Sequence, residues 1–262
     1  MNDAVIGVFD SGVGGLSVLR EVRKALPAEN LLYVADSGFA PYGDRPAQYI
    51  QDRTEAIVGY FAGAGAKAAV IACNTATAVA VHALRARFSF PIVAIEPAVK
   101  PAVEITRSGI IGILATKQTL ASDNFSRLVE KYGHNVRVLA QPCPGLVEQV
   151  EKGELDGPST RPLVTRYVAP LIAQGADTLV LGCTHFPFLR ATITDVAGTG
   201  VFILDPAIAV ARELHRRLKA CDLLSSDERP GTDQFRTSGE PETVQPVFRK
   251  LWAANIEVRP LP

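Results

Sequence analysis

The sequence lacks an excess of charge of either sign, a long uninterrupted apolar run and a cysteine-rich pattern. Its 262 residues carry 27 Lys and Arg against 27 Asp and Glu, so the formal net charge is zero. Proteins that bind nucleic acid or acidic membranes normally show a basic excess or basic blocks, and this chain shows neither. We therefore expect neither nucleic acid nor a membrane surface as a partner.

Two further absences disfavour membrane insertion and secretion. The longest apolar stretch, residues 66–84, is interrupted by Asn74, Thr75, Thr77 and His82, which makes it a poor membrane span. The opening residues MNDAVIGVFD have no basic segment before the apolar run, so we expect no signal peptide. Four cysteines in a chain of this length then favour reduced thiols over a disulfide framework, and the expected location is the cytoplasm.

Short apolar runs alternate with amphipathic segments along the chain. The runs predict strands at residues 4–9, 31–35, 68–72, 91–95, 109–114, 136–140, 178–182 and 201–204. Near-continuous apolar runs are typical of parallel strands that are buried on both faces. Between them, Leu16, Leu19, Val22 and Leu26 fall on one helical face. This alternation predicts an open α/β sheet, and the polar stretch 221–233 predicts a surface loop.

Three pairs of short matches indicate an internal repeat. The pairs are IGVFDS (6–11) with IGILAT (111–116), VIACNTA (70–76) with VLGCTHF (180–186), and AIEPAV (94–99) with ILDPAI (203–208). They follow the same order at nearly the same spacing. We therefore predict two pseudo-symmetric α/β lobes with open sheets and an active site in the cleft between them. The expected lobes are residues 1–97 plus 208–262, and residues 98–207.

Cys73 and Cys183 occupy equivalent positions of this repeat, each directly after an apolar run. Ligands of open α/β sheets bind beyond the carboxyl ends of the strands, so we expect the two thiols to face one cleft. A cysteine beside a strand is most often a small inert side chain, but the paired placement argues against that for these two. Cys143 and Cys221 have no repeat partner, and we expect them to serve packing.

The first strand ends in FDSGVGG (9–15), which departs from the dinucleotide pattern G-x-G-x-x-G because Ser17 replaces the third glycine. Asp10 would also repel a pyrophosphate. Asp10 and Ser11 suit a small zwitterion better, with the carboxylate holding an ammonium group while hydroxyls and backbone N–H groups hold a carboxylate. A helix N-cap is the alternative for Asp10. A zinc site at Cys183 and His185 is a weak alternative, because no C-x-x-C pair accompanies them.

Four separated motifs carry a family resemblance: FDSGVGG (9–15), ADSGFAPYGDR (35–45), CNTAT (73–77) and GCTHFP (182–187). They closely resemble motifs of the glutamate racemases, which belong to the cofactor-independent aspartate/glutamate racemase family. The resemblance implies interconversion of L- and D-glutamate, a supply of D-glutamate for peptidoglycan, and no cofactor or metal. An aspartate or hydantoin racemase of the same fold, a non-enzymatic two-lobe binding protein and a metal-dependent hydrolase remain alternatives.

The resemblance also implies roles for particular residues. Cys73 and Cys183 would be the acid/base thiols, Asp10 and His185 their assisting groups, and Glu151 a further acidic group. The implied ligand-contacting set is Asp10, Ser11, Tyr42, Gly43, Asn74, Thr75, Thr116, Thr119, Thr184 and His185. Glutamate is the implied small-molecule partner. The sequence leaves the oligomeric state open, with a homodimer among the states it allows.

Two thiols suit a racemisation independently of the resemblance. The α-proton must leave one face of the substrate carbon while another proton arrives at the opposite face, which one thiolate and one thiol can do. A free cysteine has a pKa of about 8.5. We expect a strand-to-helix boundary and a polar neighbour to bring the thiolate within reach near neutral pH. By resemblance, Cys183 would serve the L-enantiomer and Cys73 the D-enantiomer.

Overall fold

A computed structural model describes residues 4–227 and 229–262. The strands are β1 (Ile6–Asp10), β2 (Leu31–Ala35), β3 (Ala68–Ile71), β4 (Ile92–Ala94), β5 (Ile110–Ala115), β6 (Arg137–Pro142), β7 (Thr178–Leu181), β8 (Phe202–Leu204), β9 (Asp233–Thr237) and β10 (Val258–Pro260). The α-helices are α1 (Leu16–Ala25), α2 (Ala47–Gly63), α3 (Asn74–Arg87), α4 (Val99–Ile105), α5 (Lys117–Leu120), α6 (Asp123–Tyr132), α7 (Leu146–Glu151), α8 (Thr160–Ala173), α9 (Arg190–Ala197), α10 (Ala207–Ala220) and α11 (Pro241–Trp252). Across these described residues, no helix combines the length and apolar character needed to cross a bilayer.

The strands form two parallel sheets. The first has six strands in the order β10-β9-β2-β1-β3-β4, and the second has four in the order β6-β5-β7-β8. The order β2-β1-β3-β4 of the first sheet recurs in the second, which matches the sequence repeat. The prediction of two pseudo-symmetric open-sheet α/β lobes is therefore confirmed. We call the six-stranded sheet with its helices the first lobe and the four-stranded sheet with its helices the second lobe; the residue limits given above for them stay a prediction.

Each sheet is covered by helices on both faces, as its apolar strands require. Side chains alternate along β1, so Ile6 and Val8 point to the face that carries α1 and α10, and Phe9 points to the face that carries α2 and α3. The cluster around Ile6 and Val8 continues into the second lobe through Leu179 and Leu181 of β7. The two lobes therefore share one apolar core, and burial of that core stabilises their contact.

Strands β9 and β10 were not predicted, because their sequences do not resemble buried parallel strands. They lie at one side of the first sheet, and DQFRT of β9 buries only Phe235 and Thr237. Strand β9 pairs with β10 on one side and β2 on the other, but its charged and polar residues hide it from a search for apolar runs. The predicted loop 221–233 is confirmed up to the start of β9 at Asp233, apart from Glu228, which lies outside the described residues.

Candidate active site

A cavity of about 550 Å³, its open mouth included, lies between the lobes at the carboxyl ends of the central strands. Ten of the sequence-predicted residues line it: Ser11, Tyr42, Gly43, Cys73, Asn74, Thr75, Thr116, Cys183, Thr184 and His185. Cys73 comes from the first lobe and Cys183 from the second, so the cavity lies between thiols of different lobes.

Cys73 lies between β3 and α3 and acts as the N-cap of α3, its Sγ accepting a hydrogen bond from the N–H of Ala76 at 3.4 Å. The hydroxyl of Ser11 is 3.5 Å from the same sulfur. Burial, reinforced by the nearby charge of Asp10, raises the pKa of Cys73 to about 12 against the opposing effect of these hydrogen bonds. The expectation that a strand-to-helix boundary brings this thiolate within reach near neutral pH is therefore wrong for Cys73, because desolvation of a buried sulfur outweighs the helix N-terminus.

Cys183 belongs to a chain of side chains in the second lobe. Its Sγ is 3.7 Å from Nδ1 of His185, and Nε2 of His185 is 2.6 Å from Oε1 of Glu151. Burial lowers the pKa of His185, but the hydrogen bonds and charges of Cys183 and Glu151 outweigh it, so that this pKa lies well above its usual value. His185 can therefore hold a proton beside Cys183 near neutral pH. Glu151 does not line the cavity; it contacts Nε2 of His185, the ring nitrogen that does not face Cys183.

The glycines of FDSGVGG let the first lobe approach this chain closely. A Cβ at Gly12 would overlap the carboxylate of Glu151, and a Cβ at Gly14 would overlap the ring of His185. The backbone N–H of Val13 donates to Oε1 of Glu151 at 2.8 Å. The glycine-rich turn therefore contacts the second lobe across the interface, which is a use of these glycines that the sequence analysis missed.

Asp10 is fully buried and lies behind the cavity wall. Its Oδ2 accepts a hydrogen bond from the N–H of Gly12 and its Oδ1 one from the hydroxyl of Thr184, both at 3.0 Å. Burial raises the pKa of Asp10, and His185, Gly12 and Thr184 oppose that rise. Asp10 is thus placed to orient Thr184, and its roles toward a ligand and as an assisting group stay predictions. The N-cap of α1 is Gly15 and not Asp10.

Hydroxyl and amide groups from both lobes meet at the cavity. The hydroxyl oxygens of Thr75, Thr116 and Thr119 lie 2.9–3.3 Å from one another, with Thr119 behind the other two. Asn74 is buried on the cavity wall, and neither its Oδ1 nor its Nδ2 meets a hydrogen-bonding partner among the described residues. Because a buried amide without partners is costly, the Asn74 side chain is suited to bind a polar group of a ligand.

Several cavity residues were missed: Pro41, Asp44, Lys117, Cys143, Pro144, Val147 and Glu148. Cys143, which was expected to serve packing, is buried in the apolar core and also lines the cavity, its Sγ donating weakly to the carbonyl of Gln141 at 3.3 Å. It directly follows β6, whose carboxyl end lies at the same sheet edge as that of β7, and this placement was the available signal. Cys221, also expected to serve packing, is exposed. Within residues 4–227 and 229–262, no three His, Cys, Asp or Glu side chains are grouped as a metal site would require.

Two lobes of matching topology that each present a thiol to a shared cavity define a two-lobe α/β protein equipped for acid–base chemistry. A sequence model of the Asp/Glu/hydantoin racemase family matches residues 6–214. A glutamate racemase of Methylococcus capsulatus is 53% identical over 261 residues, covering 100% of this chain and 96% of the relative. A glutamate racemase of Pseudomonas aeruginosa is 49% identical, with 97% and 96% covered.

Solved structures agree with these relatives. A glutamate racemase isoform of Bacillus anthracis superposes with a TM-score of 0.91 at 32% identity, covering 100% of this chain and 98% of that one. The Escherichia coli glutamate racemase in complex with L-glutamate gives a TM-score of 0.86 at 32% identity, with 98% and 97% covered. The chain therefore belongs to the Asp/Glu/hydantoin racemase family, whose racemases are isomerases.

Proposed function

We propose that this protein interconverts L- and D-glutamate without a cofactor, using Cys73 and Cys183 as its two acid/base groups. The observation that carries the proposal is the arrival of one thiol from each lobe at the same cavity. A substrate carbon held between them would meet a sulfur on each face. Full-length relatives named glutamate racemase support glutamate as the substrate.

For L-glutamate, Cys183 would be the base and Cys73 the acid. Cys73 holds its proton, because burial keeps its pKa near 12. Cys183 lies beside His185, whose pKa is raised by its contacts with Cys183 and Glu151, and an N–H at Nδ1 can donate to a sulfur anion. Cys183 as thiolate would then remove the α-proton of L-glutamate, and Cys73 would deliver its proton to the other face. D-glutamate requires the reverse assignment, with the proton on Cys183.

The remaining polar groups would hold the substrate and its developing charge. Asn74 has unpartnered donor and acceptor atoms at the cavity, and Ser11, Thr75, Thr116 and Thr184 add hydroxyls. Hydrogen bonds from these groups would stabilise carbanion character in the transition state. Tyr42 and Gly43 would form the wall on the side of the first lobe, and Thr119 would support Thr75 and Thr116.

Such a protein would supply D-glutamate for peptidoglycan in the cytoplasm, and this role follows from its family. Glutamate would be its small-molecule partner. Aspartate racemisation is the nearest alternative within the family, since the two substrates differ by one methylene.

The test follows the circular dichroism of L-glutamate, D-glutamate and L-aspartate during incubation with the purified protein, with no pyridoxal phosphate and with a chelator present. We expect the signal of either glutamate enantiomer to decay to zero and that of aspartate to persist. Decay with aspartate alone would overturn the substrate assignment. Glutamate binding without any decay would leave a binding protein, and activity that requires added pyridoxal phosphate or metal would contradict the two-thiol chemistry.

A further inference from the structure

The segment between β2 and α2 forms one wall of the cavity, although it contains no strand and no α-helix. It consists of two short 3-10 turns, Ser37–Phe39 and Tyr42–Asp44, and it contributes Tyr42 and Gly43 to the wall. A Cβ at Gly43 would lie 3.2 Å from Cβ of Thr116 in the second lobe, so the lobes nearly touch here. Displacement of this segment by a few tenths of an ångström would change the shape of the cavity.

A buried carboxylate holds the segment. Asp36 is fully buried directly after β2, and Arg53 of α2 binds it with two hydrogen bonds, from Nη2 to Oδ1 at 2.7 Å and from Nε to Oδ2 at 2.9 Å. The guanidinium carbon of Arg53 also lies 3.5 Å from the ring centroid of Phe39. This planar, two-pronged geometry suits arginine and cannot be reproduced by lysine, which acts as a point charge.

The third partner of Asp36 connects this pair to the cavity. The hydroxyl of Tyr42 donates to Oδ2 of Asp36 at 2.5 Å, and the Tyr42 ring is buried on the cavity wall. Burial and the charge of Asp36 raise the pKa of Tyr42 far above its usual value, so the phenol keeps its proton and donates it to Asp36. One carboxylate therefore fixes Arg53 on the helix side and Tyr42 on the cavity side.

We propose that Arg53 is a positioning residue for substrate binding, acting through Asp36 on the wall formed by Tyr42 and Gly43. Arg53 itself does not line the cavity. Without the two hydrogen bonds from Arg53, the buried carboxylate of Asp36 would keep only Tyr42 as a side-chain partner, which is a costly state for a charge. A turn of the carboxylate toward water would relieve that cost and would draw Tyr42 with it. This inference rests on the proposed function, since it concerns how well the racemase holds its substrate.

The test compares kcat and KM of Arg53→Met, Arg53→Lys and a matched control, Arg87→Met. Arg87 of α3 makes an arginine–carboxylate pair with Glu55, which lies on α2 like Arg53, but this pair is on the exposed surface. We expect Arg53→Met to raise KM for glutamate about tenfold while kcat per folded molecule changes little, because a misplaced wall weakens ground state and transition state alike. Arg53→Lys should restore part of the loss, and Arg87→Met should match the wild type.

A double-mutant cycle separates positioning from general stability. Because Arg53 and Tyr42 act through the same carboxylate, the KM effects of Arg53→Met and Tyr42→Phe should be far from multiplicative when combined. A KM that stays at the wild-type value in Arg53→Met, or multiplicative effects in the cycle, would overturn the inference. If Arg53→Met does not fold, a wild-type KM in both Arg53→Lys and Tyr42→Phe would overturn it equally. A wild type that does not racemise glutamate would instead contradict the proposed function.

Discussion

Replacing either Cys73 or Cys183 with serine is expected to lower kcat/KM for glutamate by roughly 10²- to 10⁴-fold. Serine keeps the shape of the side chain, but its hydroxyl is a far weaker acid than a thiol and forms no useful anion near neutral pH. At about 1.36 kcal/mol for each factor of ten, the loss corresponds to roughly 3–5 kcal/mol of barrier. Racemisation rates measured from both enantiomers check this prediction.

Enantiomers have equal free energies, so the equilibrium constant is one and each substitution must lower kcat/KM equally in the two directions. Cys221→Ser is the matched control, because Cys221 is exposed and far along the chain from the cavity residues. Both active-site variants should still bind glutamate by calorimetry. Turnover close to that of the wild type in either variant would remove that cysteine from the proposed mechanism.

Replacing Glu151 with glutamine is expected to lower kcat/KM about 10²-fold and to move the high-pH limb of its profile to lower pH. The carboxylate of Glu151 raises the pKa of His185 through a hydrogen bond of 2.6 Å and through its charge. A neutral amide keeps the hydrogen bond and loses the charge, so His185 gives up its proton at lower pH. The protonated partner of Cys183 then persists over a narrower pH range.

The sign of this shift can be read directly from the imidazole. The chain has 4 histidines, so ¹⁵N resonances of His185 can be followed through a pH titration. In the wild type the His185 imidazolium should persist well above the ordinary histidine pKa of about 6.5, and in Glu151→Gln it should titrate lower. Glu154→Gln, on an exposed residue shortly after α7, is the control for the change in charge. An unchanged His185 titration in Glu151→Gln would contradict the coupling.

Apolar runs and the repeat were sufficient to predict β1 to β4 of the first lobe and their four counterparts, β5 to β8, of the second lobe. The central strands of both sheets, β1, β3, β5 and β7, are buried on both faces, so their sequences are distinctive. Strands β6 and β8, at the two sides of the second sheet, are only partly buried, yet their apolar runs were still recognisable. The two added strands of the first lobe differ because neighbouring residues decide their pairing: β9 lies beside β2 and buries only Phe235 and Thr237. Local sequence carries little information about a strand whose place depends on its neighbours in this way.

The strand ends likewise predicted where the cavity lies, but they did not predict every side chain that lines it. Asp10 ends β1 on the same face as Ile6 and Val8, so it points to the shared core and toward Thr184 instead of into the cavity. Cys143 follows β6 at the edge that carries Cys183, yet the repeat offered it no partner and it was set aside. Arg53 was missed for a different reason: its link to Tyr42 runs through Asp36, and only three-dimensional contacts reveal such a link.

Isotope exchange in deuterated water tests the two-thiol claim most directly. If L-glutamate is supplied and the reaction is stopped early, Cys183 should have removed protium while Cys73, already carrying solvent deuterium, delivered deuterium to the opposite face. We therefore expect deuterium at the α-carbon of nearly every D-glutamate molecule formed and almost none in the recovered L-glutamate, with the mirror result when D-glutamate is supplied. A single base serving both faces would exchange label into both pools. Deuterium that enters recovered L-glutamate as fast as D-glutamate forms would contradict the account.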